Sequence, residues 1–111
     1  MEGMDCWSLC LFIRRELGLP DLPDLGHVGP TDIKGMKDGY RYTISYLKEG
    51  SPQVGALAAV FRGLAFIHVG VVVEIDGRLA LIETNPKTGV RWLRLREFES
   101  QYAKVVYYND R

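Results

Sequence analysis

The sequence predicts an α+β domain in which one N-terminal helix precedes a meander of short strands. Apolar residues recur at helical spacing from Cys6 to Leu17, whereas the apolar runs after Pro52 are short and separated by turn signals. Helices first and strands afterwards are typical of the α+β class. Because domains run to roughly 100–200 residues, the chain of 111 residues is expected to be one domain over residues 1–111.

The first helix is predicted over Cys6–Leu17. Asp5 is a good N-cap residue, Arg14 and Arg15 suit the closing turn of a helix dipole, and Gly18 is a stop signal. The apolar stripe of this helix comprises Cys6, Leu9, Cys10, Ile13 and Leu17. A second helix is predicted over Thr31–Lys48.

Five short strands are predicted to form an antiparallel sheet of about five strands. Asp76-Gly77 is a strong hairpin signal between two of them. The predicted strands are Ala56–Arg62, Ile67–Glu74, Leu79–Thr84, Val90–Leu95 and Ala103–Tyr108, with a helical turn over Arg96–Tyr102.

Composition excludes several classes of protein. Fourteen basic residues balance fourteen acidic ones, so phosphate neutralisation is not the main binding force and no nucleic-acid partner is expected. The apolar stretch Val54–Ile75 is interrupted by Arg62, His68 and Glu74, which favours two strands and a turn over a transmembrane segment. No secretory signal precedes the first helix, and the protein is expected to be made in a bacterial cytoplasm.

Cys6 and Cys10 are the two cysteines of the chain. Their Cβ vectors run parallel on a helix, which is poor geometry for a disulfide, so both are expected to be thiols in a reducing compartment. Cys6 lies at the helix N-terminus, where backbone N–H groups favour thiolate and can act as oxyanion donors. The alternative is that Cys6, like Cys10, is a small buried apolar side chain.

His68 and Glu83 are the polar residues that stand out in the predicted strands. His68 is either a core histidine that is hydrogen-bonded to the backbone or part of a site, and Gly70 on the same strand face would leave open space beside its ring. Glu83 lies across the Asp76-Gly77 turn, where it can orient the imidazole; otherwise it is a solvated strand end. Asn85 is the substitute for that role.

A zinc site is the metal alternative. It would combine Cys6, Cys10, His27 and His68. The two histidines are far apart and lack the close spacing of zinc motifs, so no metal or cofactor is expected.

Taken together, these segments resemble the NlpC family of papain-like cysteine peptidases, which cleave cell-wall peptides. Asp5-Cys6 is similar to the family's Asp-Cys-Ser-Gly nucleophile motif, and His68-Val69-Gly70-Val71 to its His-Val-Gly-Ile strand. Val54–Arg62 is similar to the Pro-Gly-Asp-Leu strand, and Gly89-Val90 to the Gly-Val after the third polar residue. Phage-tail members look closest, because tryptophan follows their cysteine. Glu83 stands where the family usually has His, Asn or Gln.

The resemblance implies a papain-like domain whose nucleophile helix packs on an antiparallel sheet. It implies acyl transfer to Cys6, with His68 as general base and then acid and Glu83 as its orienting residue. The implied substrate is an amide bond in peptidoglycan stem peptides, and phage-tail proteins are the implied partners. Two alternatives stay open: a non-catalytic assembly component of the same fold, and an acyltransferase that passes a thioester to an amine or lipid.

Overall fold

The computed structural model describes residues 6–22, 45–85, 87 and 89–111. In these residues two helices and six strands form an α+β arrangement around one antiparallel sheet. The elements are α1 (Cys6–Glu16), β1 (Leu47–Glu49), β2 (Leu57–Arg62), β3 (Ala65–Ile75), β4 (Arg78–Asn85), β5 (Gly89–Arg94), α2 (Leu95–Glu99) and β6 (Lys104–Asp110). The strand order across the sheet is β1-β6-β2-β3-β4-β5.

The N-terminal helix forms where its pattern predicted it. It ends at Glu16, and Gly18 then adopts a positive φ of 77°, a conformation that glycine reaches without steric cost. The amide of Leu19 donates to the carbonyl of Arg14 across this cap. The predicted N-cap, Asp5, lies outside the described residues.

The buried side of α1 differs from the predicted apolar stripe. Trp7 and Arg14 are buried together with Leu9 and Cys10, whereas Leu17 is exposed. Arg14 lies in the last turn of the helix, as predicted, but its side chain is buried. Its guanidinium donates to Asp110 in β6 and to the carbonyls of Gly55 and Pro20.

The sheet has six strands rather than about five. The additional strand is β1, which pairs with β6 through the register Leu47↔Asp110. The predicted helix over Thr31–Lys48 is therefore wrong at Leu47–Lys48, because Leu47 is buried in the sheet edge. Ser45 and Tyr46 form a turn, so the helix prediction is also wrong there. The part of that prediction over 31–44, which includes Thr31, lies outside the described residues.

The Asp76-Gly77 hairpin is confirmed. Asp76 and Gly77 have φ angles of 56° and 77°, which is the pair of positive values that a type I′ turn requires. The flanking strands β3 and β4 pair from Ile75↔Arg78 to Val71↔Ile82. This hairpin sets the register that brings His68 and Glu83 to neighbouring positions.

The sheet is covered on both faces, and successive residues of β3 alternate between them. On the helix face, Val69 and Val71 pack in a cluster with Trp7 and Cys10 of α1. On the opposite face, which we call the α2 face, Val72 packs in a second cluster with Phe98 of α2. None of the described helices is long and apolar enough to cross a bilayer.

Candidate functional site

A buried carboxylate and an imidazole form the centre of the candidate site. The Nε2 atom of His68 and the Oε1 atom of Glu83 are 2.6 Å apart, and the Glu83 side chain is fully inaccessible to solvent. The His68 side chain keeps 16% of its surface exposed. An ionised carboxylate can only accept a hydrogen bond, so in this contact Nε2 carries the proton and donates it to Oε1. Nδ1 is then the ring nitrogen that is left to bind a proton.

Arg91 completes the shell around Glu83. It lies directly opposite Glu83 in the register of β4 and β5, and its guanidinium donates to Oε2 at 2.7 Å. A second guanidinium N–H reaches Oε1 of Gln101 at 3.1 Å. The two oxygens of Glu83 are thus divided between an imidazole and a guanidinium, so the buried carboxylate is compensated on both sides.

Two aromatic rings flank His68. The rings of Phe98 and Tyr102 have centroids 6.3 Å and 6.0 Å from the imidazole. Burial raises the pKa of Tyr102 above its ordinary value of 10, and the charge of Glu83 raises it further, while Arg91 opposes the shift. The Tyr102 hydroxyl therefore stays protonated at neutral pH.

Gly70 does not open space beside the imidazole, contrary to the sequence prediction. A Cβ built on Gly70 would lie 2.7 Å from Cδ2 of Leu81 and 3.1 Å from the carbonyl oxygen of Ile82. Leu81 occupies the place that the missing side chain leaves. The glycine is required for close packing of β3 on β4 rather than for a cavity.

Cys6 lies on the other face of the sheet from His68. It is the first residue of α1 and packs, half-buried, against the helix-face cluster that contains Val69 and Val71. His68 contacts Phe98 and Tyr102 on the α2 face. The structure thus brings His68 and Glu83 together, whereas Cys6 packs against the cluster on the other face. The catalytic roles of these three residues stay predictions.

Cys10, Asn85 and His27 are the other residues that the sequence offered as metal ligands or as a substitute for Glu83. Cys10 is fully buried in the helix-face cluster, and no disulfide joins it to Cys6. The side chain of Asn85 and the whole of His27 lie outside the described residues. Within the described ranges, no three His, Cys, Asp or Glu side chains come close enough to hold a metal ion.

Arg91, Gln101 and Tyr102 were not identified as site residues from the sequence. A signal for Arg91 was nevertheless present. Asn85 pairs with Gly89 across the β4–β5 turn, and counting outward from that turn places Arg91 opposite Glu83. Gln101 and Tyr102 follow α2, and no local pattern indicates that their turn folds back over His68.

The comparisons with known proteins return no neighbour. No protein-family model matches the chain, and no curated protein and no solved structure is similar enough to count as a match. The likeness to NlpC peptidases therefore stands on the sequence motifs alone.

Proposed function

We propose that the chain is a cysteine hydrolase that cleaves an amide bond in peptidoglycan stem peptides. One observation carries this proposal: the 2.6 Å contact between Nε2 of His68 and the buried Oε1 of Glu83. That contact supports the orienting role that the resemblance assigns to the third residue of the centre. The phage-tail setting is part of the same proposal and is supported by the sequence resemblance.

In this mechanism the imidazole works through Nδ1. Nε2 donates to Glu83, so Nδ1 accepts the thiol proton of Cys6 and later returns a proton to the leaving amine. Glu83 stabilises the imidazolium that forms in between, and Arg91 fixes the position of Glu83 by hydrogen bonding to Oε2. Water then attacks the thioester, which releases the acyl product and restores the thiol.

The thiol is the part of this centre that the described geometry does not supply. Catalysis requires Cys6 and Nδ1 of His68 on one face, so the reactive arrangement must differ at α1 or at the bulge in β3. That bulge lies at Ile67, because Val60 pairs with His68 whereas Phe61 pairs with Phe66. A bulge that shifts by one residue turns the side chain beside it to the other face.

The placement of Cys6 favours a second candidate, a non-catalytic assembly component that keeps the same fold. In that case the His68–Glu83–Arg91 network is a buried polar core that fixes the register of β3, β4 and β5. Cys6 is then an apolar contact of the helix-face cluster. This candidate predicts stable association with partner proteins and no turnover.

The two candidates are separated by the pH dependence of iodoacetamide alkylation at Cys6, mapped by peptide mass spectrometry. A nucleophile coupled to His68 reacts well below the ordinary thiol pKa of about 8.5, and His68→Ala removes that advantage. If the chain is an assembly component, the pH dependence of Cys6 alkylation is the same in wild type and in His68→Ala. Buried Cys10 is the internal reference, and His27→Ala, which alters the other histidine of the chain, is the matched control.

Turnover is tested on purified peptidoglycan, with released peptides identified by mass spectrometry. The hydrolase predicts new amino and carboxyl termini in wild type and none in Cys6→Ala or His68→Ala. Products that carry an added amine or lipid would assign the chain to the transferases. Full activity in Cys6→Ala would exclude the thiol mechanism.

A further inference from the structure

Strand β5 is the outermost strand at one end of the sheet. Its inner side pairs with β4 along the whole of Gly89–Arg94. No other strand of the described residues pairs with its outer side, which we call the β5 edge. The opposite end of the sheet is β1, which has three residues and carries the charges of Lys48 and Glu49. A strand that is so short and charged is a poor template for pairing, whereas β5 is long enough to accept another strand.

The two charged side chains of β5 turn back over the sheet and do not shield this edge. Arg91 donates to Glu83 of β4 and to Gln101, and Arg94 donates to the carbonyl oxygen of Ile75 at the β3–β4 turn. A charge protects an edge when an incoming strand would remove its water without giving it a partner. Both arginines already have partners in their own chain. Strand β5 also contains no proline, and its register with β4 is regular.

Two apolar side chains lie along the β5 edge on the helix face. Trp92 is opposite Ile82, which packs against the helix-face cluster, and Val90 is two positions along the same strand. Val90 is 60% exposed and Trp92 is 48% exposed. The Arg94 guanidinium lies 5.0 Å from the centroid of the Trp92 ring and orients it. A sheet edge that carries an oriented aromatic ring beside a β-branched residue favours the addition of a strand.

The order of these side chains makes the β5 edge complementary to itself. Val90-Arg91-Trp92 reads apolar, charged, apolar from either end. When β5 of a second copy lies antiparallel and the two-fold axis passes at Arg91, Val90 is opposite the partner's Trp92, and Trp92 is opposite the partner's Val90. Residues that are directly opposite project from the same face of a sheet. The helix faces of both copies therefore lie on the same side of the joined sheet.

Charge is compatible with this pairing. The register centred on Arg91 sets the two Arg91 side chains opposite each other, but each has the Glu83 carboxylate of its own chain at 2.7 Å. A register centred on Trp92 would instead set Val90 against the partner's Arg94 and would lose both pairs of Val90 with Trp92. Fourteen basic residues balance fourteen acidic ones in the chain, so two copies approach each other without net repulsion.

We infer that β5 pairs with β5 of a second copy in a two-fold dimer, whose continuous sheet takes six strands from each copy. The register is the one centred on Arg91. A strand pair of this length buries less than the roughly 1,200 Å² of stable interfaces, so the dimer is expected to be reversible and to form at high protein concentration. The inference goes beyond the proposed function and does not rest on it, because neither Cys6 nor His68 takes part.

Sedimentation equilibrium of the full chain from about 10 μM to about 1 mM, the range of weak association, measures the dimer. Trp92→Ala removes both cross-strand apolar pairs, and Val90→Asp sets an unpaired carboxylate against the partner's Trp92. The matched control is Leu64→Ala, because Leu64 is 91% exposed but lies at the β2–β3 turn, away from β5. In a mixture of labelled and unlabelled copies, isotope-filtered NOEs between Val90 methyl groups and the Trp92 indole report the register. The NMR spectrum of each variant shows whether it is folded.

We expect a dimer with NOEs between Val90 of one copy and Trp92 of the other. Trp92→Ala should raise the dissociation constant by about three- to tenfold, because both symmetric pairs are lost. Val90→Asp should raise it further, and Leu64→Ala should leave it unchanged. A chain that is monomeric at the highest concentration would overturn the inference. A dimer that Trp92→Ala and Leu64→Ala weaken equally, or whose intermolecular NOEs lie outside β5, would overturn it as well.

Discussion

Arg91 lies directly opposite Glu83 across β4 and β5 and holds the carboxylate oxygen that His68 leaves unused. The carboxylate is fully buried, whereas the Arg91 side chain keeps 28% of its surface exposed. Glu83 is thus the member of the network that depends most on its partners. Removing any one of the three groups affects the other two.

Glu83→Gln should lower the free energy of unfolding by about 3 kcal/mol, because the substitution leaves Arg91 without its buried counter-charge. Urea denaturation at pH 7 measures the loss. Combining Glu83→Gln with Arg91→Gln in a double-mutant cycle should give a coupling energy of about 1 kcal/mol or more. Additive effects would mean that the pair contributes no mutual stabilisation, and Arg78→Gln provides the uncoupled reference.

Gly70→Ala should destabilise the protein by about 1–3 kcal/mol, the usual cost of overpacking a core. The added methyl group would meet Leu81 at 2.7 Å. Leu81→Ala makes room for it, so the double variant should be less destabilised than the two single effects added together. Full additivity in thermal or urea unfolding would show that Leu81 does not fill the place beside Gly70.

The stability of the protein should fall as the pH rises above 10, and Tyr107 should account for part of that fall. Burial raises the pKa of Tyr107 well above its ordinary value of 10, and its hydrogen bond to Glu99 at 2.5 Å raises it further. The unfolded chain therefore loses this proton first. The stabilisation is complete below pH 10 and is lost as the pH approaches the folded-state pKa.

Urea unfolding between pH 8 and 11 checks this dependence. Tyr107→Phe should flatten the decline while lowering stability at pH 8 by about 1 kcal/mol through the lost hydrogen bond. Glu99→Gln should weaken the pH dependence in the same direction. A decline that Tyr107→Phe leaves unchanged would assign the effect to other groups, among them Tyr102.

Arg14→Met should cost about 3 kcal/mol, since Arg14 is almost completely buried and its partner Asp110 loses a charge that lies 2.6 Å away. Arg15→Met is the matched control. Arg15 is next in sequence and exposed, and it reaches Asp21 only at 3.5 Å, so its loss should cost less than about 1 kcal/mol. Chemical denaturation of the two variants compares them directly, and equal losses would contradict a structural role for the buried pair.

Local signals predict most of the fold. The periodicity of α1, its glycine stop and the Asp76-Gly77 turn each act over a few residues, and each forms as expected. The same turn explains why the proximity of His68 and Glu83 could be predicted, since a hairpin fixes its own register. The partner of Arg14 could not be predicted, because Asp110 lies 96 positions away.

The face of the sheet on which α1 packs could not be predicted from the sequence either. Strand β3 is apolar on both sides around Val71 and Val72, which belong to different clusters, so its pattern does not alternate and does not distinguish the two faces. The bulge at Ile67 adds a residue just before His68. Simple alternation counted back from His68 therefore assigns the β3 residues before the bulge to the wrong face of the sheet. A prediction that pairs Cys6 with His68 assumes that α1 packs on the sheet face that carries His68. Only tertiary packing decides on which face α1 packs.

The position of β6 has a consequence for the order of events during synthesis. Although β6 comes after the other five described strands in the chain, it lies between β1 and β2, and its residue Asp110 binds Arg14 of the first helix. A nascent chain that has emerged as far as β5 has the β2–β5 meander but lacks the strand that joins β1 to it. Until Lys104–Asp110 leave the ribosome, one side of β2 stays unpaired and Arg14 has no carboxylate. Incomplete chains would therefore expose an open sheet edge, which makes them substrates for chaperones or proteases.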